Sequence, residues 1–127
     1  TLLNDVYNSN PVSAKASLDI LKDVEGRSVA FLGFMGELGE FAPQMHREVG
    51  AYAAEKGIDL LICIGNHSDQ MAAGAKDAGM KEVYRFDTQE EFWEKGLDLL
   101  KKGDTILLKA SRSMGFEKTV EKLQGVK

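Results

Sequence analysis

Short apolar runs alternate with helical patterns along this chain. Four of these runs, at residues 28–33, 59–65, 82–86 and 105–109, are mostly apolar and are bounded by glycine or aspartate. Three of them show little alternation with polar residues, which is typical of parallel strands buried on both faces. Because strands that alternate with helices favour right-handed crossovers, we predict an α/β fold: a Rossmann-like three-layer sandwich with a mainly parallel sheet.

Apolar residues between these runs recur with helical spacing. They predict helices over residues 12–23, from about 42 to the Gly57 stop, over 68–78, over 88–102 and from about 116 onward. The helix over 88–102 would begin with a capping box formed by Thr88 and Glu91, and Gly103 would end it after two lysines.

Composition is that of a single globular domain spanning residues 1–127, with 43% hydrophobic and 28% charged residues. The net charge of -4 and the lack of a basic cluster beyond Lys101 and Lys102 argue against nucleic acid or an anionic membrane as a partner. Cys63 lies inside an apolar run, so we expect a buried thiol in a protein of the reducing cytoplasm. Since the chain opens on Thr1, we expect it to be a segment of a longer protein.

Ligands of parallel sheets bind beyond the carboxyl ends of the strands, and one such end carries GFMGELG at residues 33–39. Its spacing differs from the GxGxxG of dinucleotide-binding proteins, so we expect Gly33 and Gly36 to shape a wide turn. No GxxxxGK[ST] phosphate-binding loop occurs in the chain. A phospho-receiver domain would suit Lys109, but it requires acidic residues that the other strand ends do not provide.

The two histidines share no metal-ligand spacing with each other or with the cysteine, so we expect no metal site. His46 lies in a predicted helix, where we expect a surface or half-buried position. For His67, which follows a strand, a functional role and a structural role are equally open.

Two further stretches lie where loops leave the scaffold: DVYNSNP at residues 5–11 and LKASRS at residues 108–113. Together with GFMGELG and with HREVG at residues 46–50, in this order, they resemble the C-terminal domain of a Mur ligase over nearly the whole chain. Two positions depart from the family pattern. Phe34 stands where the family usually has aspartate, and Ala110 stands where it has glycine, which we expect to narrow or re-angle that loop.

The resemblance implies the last domain of a three-domain, ATP-dependent ligase of peptidoglycan synthesis in the bacterial cytoplasm. Within this family, the chain most resembles the branch that adds D-alanyl-D-alanine to UDP-N-acetylmuramoyl-tripeptide. The N-terminal domain would bind the UDP sugar, and the central ATPase domain would hold the phosphates and most of the Mg2+ contacts. This domain would close over ATP and the dipeptide, would contribute no catalytic residue, and would be inactive alone.

The resemblance also implies an ATP-binding set in the first stretch: Asp5, Tyr7, Asn8 and Asn10. The carboxylate can accept hydrogen bonds from ribose hydroxyls, the tyrosine offers an aromatic face, and the amides offer donors and acceptors. For Asn10 the alternative is a purely structural role in the turn and cap before the next helix.

A substrate-binding set is implied in the second stretch: Lys109, Ser111 and Arg112. The planar guanidinium of Arg112 matches the carboxylate at the C-terminus of the dipeptide, and Lys109 and Ser111 would add charge and a hydroxyl beside it. The alternative for these residues is a surface salt bridge and a helix N-cap. For the whole chain, the alternative is a free-standing α/β module that binds a nucleotide or a protein without catalysis.

Overall fold

Five strands alternate with five helices in the computed structural model, which describes residues 2–5, 10–36, 38–109 and 117–124. The elements, in chain order, are β1 (Leu2–Asp5), α1 (Pro11–Leu21), β2 (Ser28–Leu32), α2 (Ala42–Glu55), β3 (Leu60–Ile64), α3 (Ser68–Asp77), β4 (Val83–Phe86), α4 (Gln89–Lys95), β5 (Thr105–Lys109) and α5 (Glu117–Gln124). The predicted α/β sandwich is confirmed.

The strands form one sheet in the order β1-β5-β2-β3-β4, and every neighbouring pair is parallel. The three inner strands β5, β2 and β3 are buried along their whole length. Burial on both faces explains why their sequences are apolar runs with little polar alternation.

Helices cover both faces of the sheet. On one face, Leu18 of α1, Val49 of α2 and Met71 of α3 pack in a single apolar cluster with β-strand residues. On the other face, Phe92 of α4 packs edge-on against Phe31, with ring centroids 4.7 Å apart, in a second cluster that includes α5. β2, β3 and β5 therefore contribute alternate residues to two separate cores.

β1 is a strand that the sequence pattern did not predict. It pairs with β5 at the edge of the sheet and contains only two apolar residues, Leu2 and Leu3. The other two residues of β1, Asn4 and Asp5, are polar, so the strand carries no apolar run that a sequence pattern could reveal.

The predicted helix over residues 88–102 was wrong in its length, because α4 ends at Lys95 and a 3-10 turn follows at Leu97–Leu99. Arg27 explains the change: its guanidinium donates to the carbonyl of Leu99 at 2.6 Å and to both carboxylate oxygens of Asp104 at 3.0 and 2.7 Å. Asp104 in turn accepts from the amide of Lys101 at 2.8 Å. These contacts hold the segment in a turn that leads into β5.

The predicted capping box of α4 is half formed. The side-chain oxygen of Thr88 accepts from the amide of Glu91 at 3.1 Å, as expected of an N-cap. The carboxylate of Glu91, however, accepts from the amide of Asp87 and not from that of Thr88.

Helices α2 and α3 approach so closely that each needs a glycine at the contact. A Cβ atom on Gly74 would overlap the carbonyl oxygen of Arg47, and one on Gly50 would overlap that of Met71. Both obstacles are backbone atoms, which cannot rotate away.

Gly74→Ala should therefore lower the free energy of unfolding by about 1–3 kcal/mol, as overpacking does. The sign of this change in the free energy of unfolding is informative, because replacing glycine with alanine at an uncrowded helix position raises stability by up to about 1 kcal/mol. Gly36→Ala is the matched control, since its Cβ would meet only a ring carbon of Phe34 at 3.9 Å. Urea unfolding measures both, and equal stability of the two variants would contradict the close approach.

Candidate functional site

The first and last strands bring the two motif stretches together at one edge of the sheet. Because β5 lies between β1 and β2, Lys109 is in register with Asp5 on one side and with Leu32 on the other. The amide of Gly33 donates to the carbonyl of Lys109 at 2.8 Å. Asp5 and Lys109, about a hundred positions apart in the chain, are thus backbone neighbours at the carboxyl edge, where parallel sheets bind ligands.

Four predicted site residues lie outside the residues that the structure describes: Tyr7, Asn8, Ser111 and Arg112. Asp5 is described as the last residue of β1. The ligand contacts of all five stay predictions.

Asn10 forms the N-cap of α1. Its side-chain oxygen accepts from the amide of Ser13 at 2.9 Å, and the Ser13 hydroxyl accepts from the amide of Asn10 at 3.2 Å, which completes a capping box. Pro11 follows at the first helical position, where its missing N–H costs nothing. The structural alternative for Asn10 is therefore present, and its side-chain oxygen is committed to the helix.

Lys109 is buried at the end of β5, with 1% of its surface exposed. The alternative of a surface salt bridge is therefore wrong for this residue. A buried ammonium is costly unless polar groups surround it, so its burial favours a specific role at this edge. The predicted contact between Lys109 and a substrate stays a prediction.

The loop after β2 carries the glycine-rich motif and crosses the same edge. It runs irregularly through Gly33 and Gly36 into a 3-10 turn at Gly39–Phe41, and Gly39 there adopts a φ of +58°, which favours glycine. Met35, midway along the loop, is buried with 3% exposure in the core beneath α1, α2 and α3.

His46 of α2 is hydrogen-bonded to this loop, and its predicted position was wrong. It is fully buried, whereas we expected a surface or half-buried position. Its Nε2 accepts from the amide of Met35 at 2.9 Å, and its Nδ1 lies 2.7 Å from the carbonyl oxygen of Ala42. Since a carbonyl only accepts and an amide N–H only donates, Nδ1 carries the proton and the ring is neutral.

Electrostatics agree with a neutral His46. Burial lowers the pKa of His46 below its ordinary value, the nearby His67 lowers it further, and the hydrogen bond to Ala42 only partly opposes them. The two imidazole rings lie 4.8 Å apart.

The turn between β3 and α3 forms the neighbouring part of the edge. His67 is half-buried and adopts a φ of +63°, which is uncommon for a residue other than glycine. The hydroxyl of Ser68, which is buried, accepts from Nε of Arg85 at 3.2 Å, and Arg85 also donates to Asp87 at 2.5 Å. Side chains thereby join the start of α3 to the carboxyl end of β4.

A groove of about 680 Å³ lies at the opposite, amino edge of the sheet. Its walls include Arg27, Asp59, Glu82 and Lys101, so it mixes both signs of charge. Parallel sheets bind ligands at the other edge, and both motif stretches lie there.

No three His, Cys, Asp or Glu side chains of the described residues come together in an arrangement that could hold a metal ion. Cys63 is buried in β3, as predicted, and burial raises the pKa of its thiol. Of the helices described, none combines the length and the apolar character needed to cross a membrane.

Comparison with known proteins identifies the motifs. The family model described as "Mur ligase, glutamate ligase domain" matches residues 1–112. The chain is 37% identical over 125 residues to a UDP-N-acetylmuramoyl-tripeptide--D-alanyl-D-alanine ligase of Synechocystis, covering 96% of this chain and 27% of that protein. A ligase of the same name from Bacillus subtilis is 32% identical, covering 97% of this chain and 28% of that protein.

Solved structures give the same result. MurF from Acinetobacter baumannii superposes with a TM-score of 0.79 at 28% identity, covering 94% of this chain and 26% of that one. MurF ligase from Thermotoga maritima, solved in complex with ADP, superposes with a TM-score of 0.77 at 26% identity, covering 98% of this chain and 28% of that one. The chain thus spans about a quarter of the length of these relatives, and a free-standing binding module is not favoured.

Falling pH should destabilise the protein through His46. Because the folded-state pKa lies below the ordinary value of 6.5, the unfolded chain takes up a proton at this site first. The stability that neutral His46 contributes to the folded state is fully present above pH 6.5, and it is lost as the pH falls from there toward the folded-state pKa. The free energy of unfolding in urea should therefore drop more between about pH 7.5 and about pH 5.5 in wild type than in His46→Gln, which cannot titrate there. An unchanged dependence in His46→Gln would contradict the assignment.

Proposed function

This chain belongs to the Mur ligase family, and we propose that it is the C-terminal domain of the ATP-dependent ligase that adds D-alanyl-D-alanine to UDP-N-acetylmuramoyl-tripeptide, as in MurF. The domain would close over ATP and the incoming dipeptide. Residues 1–127 would then be one domain of three, acting beside a central ATPase domain of the same polypeptide.

The observation that carries this proposal is the parallel pairing of β5 between β1 and β2. It makes Asp5 and Lys109 neighbours, and each of these residues belongs to one of the two motif stretches. A nucleotide-binding stretch and a carboxylate-binding stretch that start side by side could hold two reactants near each other, which is the main requirement for joining them.

The remaining parts of the reaction need groups that this chain lacks. Its 127 residues contain no GxxxxGK[ST] motif to cradle phosphates, and the described residues offer no metal cluster. The proposal therefore assigns the phosphates and Mg2+ to the central domain. The ADP complex of the Thermotoga protein supports nucleotide binding in this group of ligases.

In this scheme, ATP phosphorylates the terminal carboxylate of the tripeptide, and the amine of the dipeptide displaces phosphate to form the amide. The chain contributes positioning and not proton transfer. Asn8 would contact the nucleotide, and Arg112 would hold the dipeptide carboxylate through two parallel hydrogen bonds. The reaction consumes ATP and peptidoglycan precursors, so we assign the enzyme to the bacterial cytoplasm.

The full-length protein tests the proposal. Purified enzyme with ATP, UDP-N-acetylmuramoyl-tripeptide and D-alanyl-D-alanine should form the UDP-linked pentapeptide, detected by mass spectrometry, with one phosphate released per amide. Omitting the dipeptide should abolish the product. A product formed with D-glutamate in place of the dipeptide would instead identify a different member of the family, and ATP hydrolysis without any amide would refute a ligase.

Asn8→Ala in the full-length enzyme should raise the apparent KM for ATP severalfold, because a lost hydrogen bond costs about 1 kcal/mol. The KM for D-alanyl-D-alanine should change less. Asn66→Ala is the matched control, since Asn66 is exposed in the turn after β3 and outside both motifs. Steady-state kinetics with each substrate varied in turn gives the comparison, and equal effects on both substrates would indicate impaired closure and not a nucleotide contact.

Arg112→Lys keeps the charge but loses the two-pronged donor, so use of D-alanyl-D-alanine should weaken about tenfold, corresponding to about 1–2 kcal/mol. Arg112→Ala should be worse, and part of the loss should appear in kcat, because the dipeptide must also be aimed at the acyl phosphate. Arg85→Lys, at the exposed end of β4, is the matched control.

A dipeptide whose terminal carboxylate is replaced by an amide completes this test. Wild type should use it poorly, and Arg112→Ala should no longer distinguish it from the natural dipeptide. If wild type uses the amide as well as the acid, Arg112 does not bind the carboxylate.

A further inference from the structure

His46 holds two separate backbone segments with one ring. Its protonated Nδ1 donates to the carbonyl of Ala42 in its own helix, and its Nε2 accepts the amide of Met35 in the loop after β2. The ring is fully buried, so water cannot replace either partner. An amide that loses its only acceptor in such a place keeps the full cost of desolvation.

The loop that His46 holds is joined directly to the candidate site. Two residues before Met35, the amide of Gly33 donates to the carbonyl of Lys109. Lys109 belongs to the motif stretch at residues 108–113 and is the register partner of Asp5. A shift of the loop at Met35 would therefore reach the end of β5 through the hydrogen bond between Gly33 and Lys109, and β5 is paired there with β1 at Asp5.

Between these anchors the loop has little regular structure of its own. Residues 33–36 form neither helix nor strand, and the 3-10 turn begins only at Gly39. The side chain of Met35 fills a place in the core, but an unbranched side chain with three rotatable bonds adapts to more than one backbone position. The hydrogen bond that the amide of Met35 donates to His46 adds a directional contact at this point of the backbone.

We propose that His46 is a positioning residue for the ligase reaction. Its neutral ring fixes the backbone of the loop after β2, and the loop in turn fixes the end of β5 from which the dipeptide-binding motif starts. This inference rests on the function proposed above, and it concerns a residue that lies outside both motif stretches.

Two substitutions of similar size separate hydrogen bonding from packing. His46→Gln places an amide oxygen where Nε2 accepts and still offers an N–H donor, whereas His46→Leu fills the volume but accepts nothing. The experiment uses both variants and wild type as full-length protein at a pH of about 8, where an ordinary histidine is neutral.

Hydrogen exchange followed by mass spectrometry reports on the loop without any substrate. In His46→Leu, the peptide covering residues 33–41 should exchange about tenfold or more faster than in wild type, the factor expected for a buried donor without a partner. In His46→Gln it should stay close to wild type. The peptide covering α3 is the internal control and should be unchanged in both.

Steady-state kinetics reports on the reaction. His46→Leu should lower kcat/KM for D-alanyl-D-alanine about tenfold, part of it in kcat, while His46→Gln should restore most of the loss. The apparent KM for ATP should move less, because Gly33 is bonded to β5 and not to β1.

The proposal is overturned if His46→Leu matches wild type in both measurements, or if His46→Gln is as impaired as His46→Leu. It is also overturned if the α3 peptide loosens as much as the loop, since His46 would then act on global stability alone. Loop exchange that behaves as expected in a protein without ligase activity would refute the proposed function and leave the role of His46 in holding the loop intact.

Discussion

The insertion of the last strand between the first two is the constraint on which this structure depends. β5 completes the sheet from the far end of the chain, and it is buried from Thr105 to Lys109 between β1 and β2. Without it β1 would be detached from the sheet, because β1 has no other strand partner among the described residues. The same pairing that closes the core also brings residue 5 beside residue 109. Stability and site assembly are thus consequences of one backbone register.

Burial of polar side chains at the carboxyl edge follows from this arrangement. Lys109 and His46 are both buried, although each carries groups that water would otherwise solvate. Burial without partners would cost several kcal/mol per group, so such residues are kept only where their partners are well placed. For His46 these partners are two backbone groups, and the ring remains neutral. Hydrogen bonds to buried polar side chains fix the backbone positions of a loop more narrowly than apolar packing alone.

The sequence predicted the layers of this fold better than its edges. The four apolar runs became β2 to β5 because burial on both faces leaves a strong pattern, whereas β1, with two apolar residues, leaves almost none. The end of α4 depended on Arg27, about seventy residues away, and no local pattern carries that contact. The position of His46 was within reach of the sequence, because it shares a helical face with Val49 and Ala53 at spacings of three and seven residues.

The candidate site was predictable to a different degree. Motif order and composition selected the two stretches at residues 5–11 and 108–113, and the register of β1 with β5 explains why they belong together. The capping role of Asn10 could also be inferred, since an asparagine before a proline is a strong helix start. What local patterns could not supply was the link between the stretches and the glycine-rich loop. That link is the amide of Gly33 bonded to Lys109, a contact that exists only once β5 has paired with β2, and His46 of α2 then holds the same loop at Met35.

The two edges of the sheet are held together by different contacts. At the amino edge, Arg27 and Asp104 form a two-pronged ion pair, and Asp59 accepts from the amide and the hydroxyl of Ser28. Burial alone would raise the pKa of Asp104, but the hydrogen bonds from Arg27 and from the Lys101 amide outweigh it and hold that pKa below its usual value. Strand starts are therefore fastened to one another by charged side chains that need no ligand. At the carboxyl edge, the amide of Gly33 joins the loop after β2 to β5, and the hydrogen bond between Ser68 and Arg85 joins the start of α3 to β4. Because charged side chains join the strands at the amino edge, the fold tolerates irregular, glycine-rich backbone at the carboxyl edge.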